Sequence, residues 1–533
     1  MQPISYAFGQ NHFERDPDLP VILQHHWPRH AEHHSELVEF GAFAGRDAYE
    51  AGYHIDHDAP PVLVSHDLDG RRVDRVRLSP AESALLPRLA EILRPPYAGG
   101  SWHHHFAKGY LLADPGLYCI LTITGQTAYA LHKYAPEHQG VIRDLLSGSC
   151  WGATWMTEIQ GGNDLGANRA SARHDADGWQ IRGGDKYFAS GAGLADYAIT
   201  TARPEGAPAG PKGLALFLVP RLNHEGQLNF KVRRLKDKIA TRAVPSGEVE
   251  LEGSEAFLIG RPELGIYYTL ETLTVSRIAN AVASMGISQK AILEARERVQ
   301  RRAAFGRIIG DHPLVRRDLV ECALRQAGGL ALAFHAVDLF DRAWHETPPY
   351  SPPYHHARLV SHLAKNRTAE HAGRVTALAM ELFGGIGFLE EYAIARWHRE
   401  ALITPIWEGT SNIQALELVE AIHKKQAHEP LLEHLRHVLE GAGSPEAMTA
   451  FRAAETSLKQ LATETGDNAA WSGKALLTCL ADVTSVACLY ELAPYQERYA
   501  KLARLYVQYF IQKQELPAWT MHDRSIWSPE DPG

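Results

Sequence analysis

Residues 405–414 read PIWEGTSNIQ. Glu408 stands between a tryptophan and a glycine, and Thr410, Ser411 and Asn412 are residue types that cap the start of a helix. Two chemistries fit those types. The segment is either a helix cap with a solvated carboxylate, or a rigid turn that fixes Glu408 against Trp407. In the second case the apolar wall raises the carboxyl pKa and suits it to taking a proton. Other familiar signatures are missing. Gly384-Gly-Ile-Gly387 follows a helical pattern and lacks the strand, third glycine and later acidic residue of a dinucleotide loop. No GxxxxGK[ST] occurs, and no GxSxG marks a serine hydrolase. His25, His26, His30, His33 and His34, with His103, His104 and His105, match no standard zinc spacing, so no metal is expected from them.

Four segments decide between the two readings of Glu408. WMTEIQGGND opens a strand-rich region and GGDKYFASG follows it; ARERVQRRAAFGRIIGDHP places Arg302 three residues before Phe305 and Gly306; ELFGGIGFLEEYAIARWHRE precedes the Glu408 loop. In this order and at these separations they resemble the acyl-CoA dehydrogenase flavoprotein superfamily, whose signatures are TE-x-x-[AG]-G-[SD], K-[WYF]-x-[IVAF]-[ST], R-x-x-FG, GG-x-G and a final [YW]-EG-[TS] loop. Within it the chain most resembles the AidB-like branch, named for its DNA-alkylation-response member. That likeness lies in PPVLVSHDLDGRRVDRVRLSPAESALL, in RRLKDKIATRAVPSGEVEL, in Trp407 before Glu408, and in a helical extension beyond residue 430.

The resemblance implies FAD and an acyl thioester substrate. Oxidising a saturated acyl thioester requires a base for the α proton, a hydride acceptor facing the β carbon, and donors that polarise the carbonyl. Glu408 is the implied base, and flavin N5 the hydride acceptor. Met156, Thr157, Gly162 and Asn163 would run along the flavin, with Phe188 and Ser190 against the isoalloxazine. Arg302, an always-charged fork, suits pyrophosphate, with Phe305 close by. Glu381, Gly384 and Gly385 would approach the same cofactor across a subunit boundary, and Trp407, Thr410 and Asn412 would complete the cradle. Arg277, 25 residues before Arg302 on one long helical pattern, would organise the substrate end; its plainer reading is a surface ion pair. The chain departs from the usual family pattern at Asn163, Pro313 and Glu381, where Ser or Asp, Gln and Gln are common.

The elements that must position these residues are legible as changes of pattern. Residues 1–70 are rich in His, Asp and Pro with little period. From Ser79 to about Ala135 apolar residues recur at three- and four-residue steps, predicting helices. Between Cys150 and about Gly260, short β-branched runs separated by Gly, Pro, Asn and Asp predict a small β domain. Helices then dominate to about Phe510. ETLTVSRIANAVASMGISQKAILEARERVQRRAAF reads as one long helix interrupted only by Gly286. LVRRDLVECALRQAGGLALAFHAVDLFDRAW is a second, and ARLVSHLAKNRTAEHAGRVTALAMELF a third that stops at Gly384. SIWSPEDPG reads as a frayed end. The expected fold is α+β: an N-terminal segment and helical domain (1–149), a central β-barrel-like domain (150–262), a helical bundle (263–428) and a helical extension (429–533).

Composition bounds the function. The 533 residues are 45% hydrophobic and 22% charged, ordinary for a globular chain, with a net charge of −9 that attracts neither phosphate backbones nor anionic lipid as a whole. Five scattered cysteines without CxxC suggest a reducing compartment, and the start lacks a secretory pattern. No uncharged run of about 18 apolar residues is evident, so a cytoplasmic protein without a membrane span is expected. The resemblance implies a homotetramer, with an electron-transfer flavoprotein or O2 as acceptor. It leaves two alternatives: a DNA-associated protective flavoprotein with weak dehydrogenase activity, or a flavin oxidase or monooxygenase on the same fold. From Pro430 to Gly533 nine Lys plus Arg face thirteen Asp plus Glu, a net −4 that is a poor footprint for DNA.

Overall fold

The computed structural model describes residues 3–176 and 178–529. It divides into two compact units, Ala51–Gly99 with Pro115–Ser276, and Met1–Glu50 with Gly100–Asp114 and Arg277–Gly533.

The first unit carries the β structure. A hairpin, β1 (Val62–His66) and β2 (Arg72–Arg77), precedes β3 (Gly152–Trp155), β4 (Ser171–Asp175), β5 (Gly178–Arg182), β6 (Lys186–Ser190), β7 (Tyr197–Pro204), β8 (Ala215–Pro220), β9 (Lys231–Leu235), β10 (Ser246–Glu250) and β11 (Glu252–Leu258). The larger sheet runs β3-β7-β4-β5-β11-β8, and β8 pairs back onto β7, so it closes on itself. Closure of β7, β4, β5, β11 and β8, with β3 paired onto β7, leaves few free edges, which helps strands as short as these hold together. β6, β10 and β9 form a second, three-stranded sheet. The β1–β2 hairpin of the AidB-like stretch is tied to it by buried Asp74, whose carboxylate accepts the Val232 N–H at 2.7 Å and Arg72 Nε at 2.8 Å. Helix Pro115–Tyr134 lies on β3, where Thr127 Oγ1 donates to the Ala153 carbonyl at 3.0 Å. Leu131, Leu145, Met156, Ile199, Leu216 and Ile259 share one core cluster.

The second unit is helical. Its framework is the Gly265–Arg301 helix from Arg277 on, with Pro313–Ala343 and Pro352–Phe383; the third ends where the sequence predicts, before Gly384. Gly286 is there for close packing: a Cβ would sit 2.5 Å from the Tyr110 carbonyl. The α+β class and the helix–barrel–helix order are as expected. Two local expectations are corrected. The N-terminal stretch, read as nearly patternless, forms helices Leu19–His26, His34–Phe43 and Tyr49–His57; helices this short, several beginning or ending in His, show little period. Of SIWSPEDPG, Ile526 and Trp527 are buried in a short helix rather than frayed; the last four residues lie outside the described part.

The extension comprises helices His428–Ala442, Pro445–Thr463, Gly466–Leu492 and Arg498–Tyr506. Contrary to the expectation of no such run, Gly466–Leu492 is long and apolar enough to cross a bilayer by length and composition, and 78% of its apolar window is buried. Its Asp482 receives Arg367 Nε at 2.7 Å and Nη2 at 3.0 Å from the Pro352–Phe383 helix, and Tyr506 donates to it at 2.8 Å. Gly328 admits the Tyr506 ring, which a Cβ there would meet at 2.5 Å. Removing one partner of a buried pair leaves an uncompensated charge, at about 3–5 kcal/mol. Asp482→Ala is therefore expected to lower unfolding stability by about that amount, read from denaturant midpoints; a change within error would show the pair to be dispensable.

Candidate active site

The Glu408 turn is strained. Glu408 has φ 59° and Gly409 φ 91°, and a non-glycine residue in the left-handed region persists only where its surroundings over-determine it. They do so here through the carbonyls. The Glu408 carbonyl accepts Arg277 Nε at 3.2 Å and Gln414 Nε2 at 3.0 Å; the Gly409 carbonyl accepts Lys365 Nζ at 2.6 Å and Gln414 Nε2 at 2.9 Å. Three helices supply these donors. Gln414 is itself held by His362 Nδ1 at 2.8 Å from its Oε1. Thr410 occupies the N-cap position of helix Ser411–Lys425 without a side-chain capping bond, and exposed Asn412 accepts Lys474 Nζ at 3.1 Å.

The electrostatics differ from the apolar wall that the sequence suggests. Trp407 is half-buried and its indole N–H donates to Asn280 Oδ1. The charged neighbours of Glu408 are cations. Burial pushes Lys365 down to about 7, with the Glu408 carboxylate pulling it up and Arg277 pushing it down. Arg277 is also lowered by burial, against Glu417 and Glu408, which raise it. Burial alone would raise Glu417, but Arg358, Arg277 and His362 outweigh it and hold it at about 2. Arg277 is 2% exposed, and its Nη1 has no hydrogen-bond partner among the described residues. A buried guanidinium nitrogen left without a partner costs free energy. Its plainer reading, a surface ion pair, is excluded by that burial.

The cofactor candidates fall in two sets. In the barrel unit, Met156 is buried at the end of β3, and Thr157, Gly162 and Asn163 follow it in a loop. The Tyr187 N–H donates to the Thr157 carbonyl at 2.9 Å, bringing that loop beside β6, which carries Phe188 and Ser190. The Trp155 indole donates to the Ser190 carbonyl at 2.9 Å, and Ser190 Oγ lies 3.3 Å from Ser246 Oγ. A Cβ at Gly162 would strike the Thr157 hydroxyl. Behind the loop, Lys186 Nζ lies 2.9 Å from Glu158, both fully buried; Glu158 also accepts the N–H groups of Arg169 at 2.6 Å and Ala170 at 3.2 Å. Burial would raise the Glu158 carboxyl, but Lys186 and these donors outweigh it and hold it below the usual range.

In the bundle unit, Arg302 is exposed at the end of the Gly265–Arg301 helix, and Phe305, φ 52° and 97% exposed, tips the hairpin of β12 (Ala303–Ala304) and β13 (Arg307–Ile308). Gly384, φ 69°, comes close: a Cβ there would lie 3.3 Å from Arg302 Nη1, while Gly385 faces open space. Exposed Glu381 ends the preceding helix, its carbonyl accepting the Gly384 N–H. Pro313 begins the next helix, where its missing N–H costs nothing. These residues fit a flavin nucleotide. Phe188, 54% exposed on a strand, offers an aromatic face, and Arg302 beside a bare glycine backbone offers charge and close approach to an anion.

The structure thus joins Arg277 with Glu408, Arg302 with Gly384, and Thr157 with the Phe188 strand. Sequence reasoning missed Asn280, His362, Lys365 and Gln414. A signal existed: Asn280 lies three residues after Arg277, and His362 and Lys365 are three apart, each pair on one face of a buried helix. The N-terminal histidines separate. His26 and His103 face Asp338 at 3.9 and 3.5 Å, while His33 and His104 each lie 3.2 Å from Glu36.

A closed barrel between helical segments, with a glutamate clasped on a left-handed turn, fits one class of enzyme, and comparison with known proteins agrees. Residues 263–423 match the acyl-CoA dehydrogenase C-terminal domain, 153–254 its middle domain, and 4–149 the adaptive response protein AidB N-terminal domain. The putative acyl-CoA dehydrogenase AidB of Escherichia coli K12 is 30% identical over 399 residues, 70% of this chain and 71% of that one. ACDH-11 of Caenorhabditis elegans, solved in complex with C11-CoA, superimposes with a TM-score of 0.83 at 25% identity, covering 99% of this chain and 96% of its own. An acyl-CoA dehydrogenase of Bacillus anthracis complexed with FAD shares the fold at 18% identity, TM-score 0.68, over 84% and 82% of the two chains. The chain belongs to the acyl-CoA dehydrogenase family, a family of FAD-dependent oxidoreductases, and is most like its AidB branch.

Lys365 yields a pH prediction. Its ammonium titrates at about 7 when folded and at about 10.4 when unfolded. Between those values the unfolded chain binds the extra proton, so stability rises with pH across that window. Lys365→Met removes this contribution. The difference in unfolding free energy between wild type and variant is expected to move in favour of wild type from pH 7 to pH 9, by up to about 1.4 kcal/mol per pH unit. Denaturant midpoints at pH 7, 8 and 9 check it; a pH-independent difference would place the ammonium in water.

Proposed function

We propose that the protein oxidises an acyl-CoA, or another acyl thioester, at the α and β carbons, with Glu408 as the base that removes the α proton. The observation that carries this is the locked turn. A strained glutamate whose own carbonyl and that of the following Gly409 are tied by Arg277, Lys365 and Gln414 has a backbone orientation that does not depend on the substrate, which is what proton abstraction needs. Lys365 and Arg277 lie within electrostatic reach of Glu408. Arg277 Nη1 orients the substrate end, and Trp407, pinned by Asn280, borders the base. FAD, when bound, supplies the hydride acceptor at N5. Met156, Thr157, Gly162, Asn163, Phe188 and Ser190 would hold its flavin end, Arg302, Phe305, Glu381, Gly384 and Gly385 its phosphates, and Thr410 and Asn412 complete the contacts.

The C11-CoA bound by the worm relative supports an acyl-CoA substrate here. Electrons would leave to an electron-transfer flavoprotein or to O2; peroxide yield during turnover separates the two. The reading carries with it a cytoplasmic homotetramer. The DNA-protective alternative gains nothing from the extension, which carries a net charge of −4 from Pro430 to Gly533. Of its clustered bases, Arg498 pairs with Asp18 at 2.9 Å and Lys501 with Asp523 at 3.0 Å, so little positive charge is left for a phosphate backbone.

The test is a flavin spectrum before and after a panel of acyl-CoAs. Wild type is expected to bleach with at least one. Glu408→Gln is expected to keep the flavin spectrum and lose roughly 10²–10⁴-fold in bleaching rate. Bleaching at the wild-type rate in the variant would remove Glu408 from the chemistry, and a folded protein that takes up no flavin would remove the reading altogether.

A further inference from the structure

Away from Glu408, the extension meets the bundle at a cluster of polar side chains that no role has yet absorbed. His335 lies on the Pro313–Ala343 helix; Cys488 and Glu491, three residues apart and so on one face, lie on Gly466–Leu492. Each offers one ligand atom, a ring nitrogen, a thiol sulfur and a carboxylate oxygen, and these lie within 4.8 Å of one another. His335 is 5% exposed and Cys488 2%. His335 Nε2 and Glu491 Oε2 are buried without a hydrogen-bond partner, a state that costs free energy unless something else satisfies them.

We propose that His335, Cys488 and Glu491 form a binding site for a divalent transition-metal ion of the zinc type, joining the C-terminal extension to the helical bundle. The donor set selects the ion: mixed sulfur, nitrogen and oxygen ligands suit zinc, whereas calcium and magnesium take oxygen. Bonds of about 2.0–2.3 Å put two ligand atoms on a common zinc ion up to about 4 Å apart, so the cluster need draw in by only about 1 Å. Charge balances too, since a thiolate and a carboxylate cancel the two positive charges in a buried setting. Burial pushes the Cys488 thiol up, Glu491 up to about 7 and His335 down, so the metal-free cluster is close to neutral and an ion displaces protons as it binds. His434, from helix His428–Ala442, stacks on His335 at 4.9 Å between ring centroids and has Nε2 3.6 Å from Glu491 Oε1, so it borders the cluster. The other such group, His33, Glu36 and His104, is a weaker candidate: Glu36 already holds the Lys108 ammonium at 2.5 Å, and no thiol is present.

The experiment uses the full chain with its flavin, treated with chelator and titrated with Co²⁺, read as a difference spectrum against the metal-free protein. One equivalent is expected to give a thiolate-to-cobalt charge-transfer band that Zn²⁺ abolishes by displacement. Cys488→Ser is expected to lose that band, and Glu491→Gln to weaken Co²⁺ affinity by about tenfold or more. No charge-transfer band in the folded wild type, or a band that survives in Cys488→Ser, overturns the proposal. Should Cys488→Ser fail to fold, Glu491→Gln decides: unchanged affinity overturns the site and the tenfold loss supports it.

Discussion

Two peptide carbonyls, those of Glu408 and Gly409, point at three side chains from three different helices, and the rest of the candidate site depends on that clasp. A left-handed glutamate costs about 1–3 kcal/mol locally. A glycine at 408 would relieve the cost and remove the carboxylate, so the chemistry needs the strain and the framework must offset it. Arg277, Lys365 and Gln414 do this from within the core, with donors that are themselves held: Gln414 by His362, Arg277 in the field of Glu417. The helices of the bundle unit are in this sense an instrument for holding one turn.

The sequence told part of this. Glu408 and Arg277 were legible because each sits in a short segment whose order and separation carry meaning, and the helical lengths because their apolar periods are long. What did not show was anything decided by burial from several sides. Lys365 looks like any helical lysine until its neighbours close over it. Trp407 next to Glu408 suggested a greasy wall, but Asn280, far upstream, claims its N–H. Gly286 read as a weakness in a helix and proves to be where that helix meets the Tyr110 carbonyl. Cys488 and Glu491 sit three apart on one helix, but their meeting with His335 leaves no trace in the chain, because spacing along the sequence says nothing about two distant helices converging.

The TE segment also acquires a physical reason. Thr157 is half-buried in the loop after β3, and the next residue turns inward as a fully buried glutamate. Glu158 collects Lys186 and two backbone N–H groups, and Lys186 begins the strand that carries Phe188 and Ser190. A single ion pair therefore sets the register between a loop and a strand that would touch the same ligand. Removing either charge leaves the other stranded without water.

The Arg367–Asp482 pair reaches beyond stability. Arg367 belongs to a helix of the common family domain and pairs there with Glu370, yet its buried counter-charge, Asp482, lies in the extension. Truncating the protein before the extension would take Asp482 from Arg367, leaving it only Glu370 of its own helix, and Gly328 would lose the Tyr506 ring it was left bare to receive. The extra helices are thus not a detachable module.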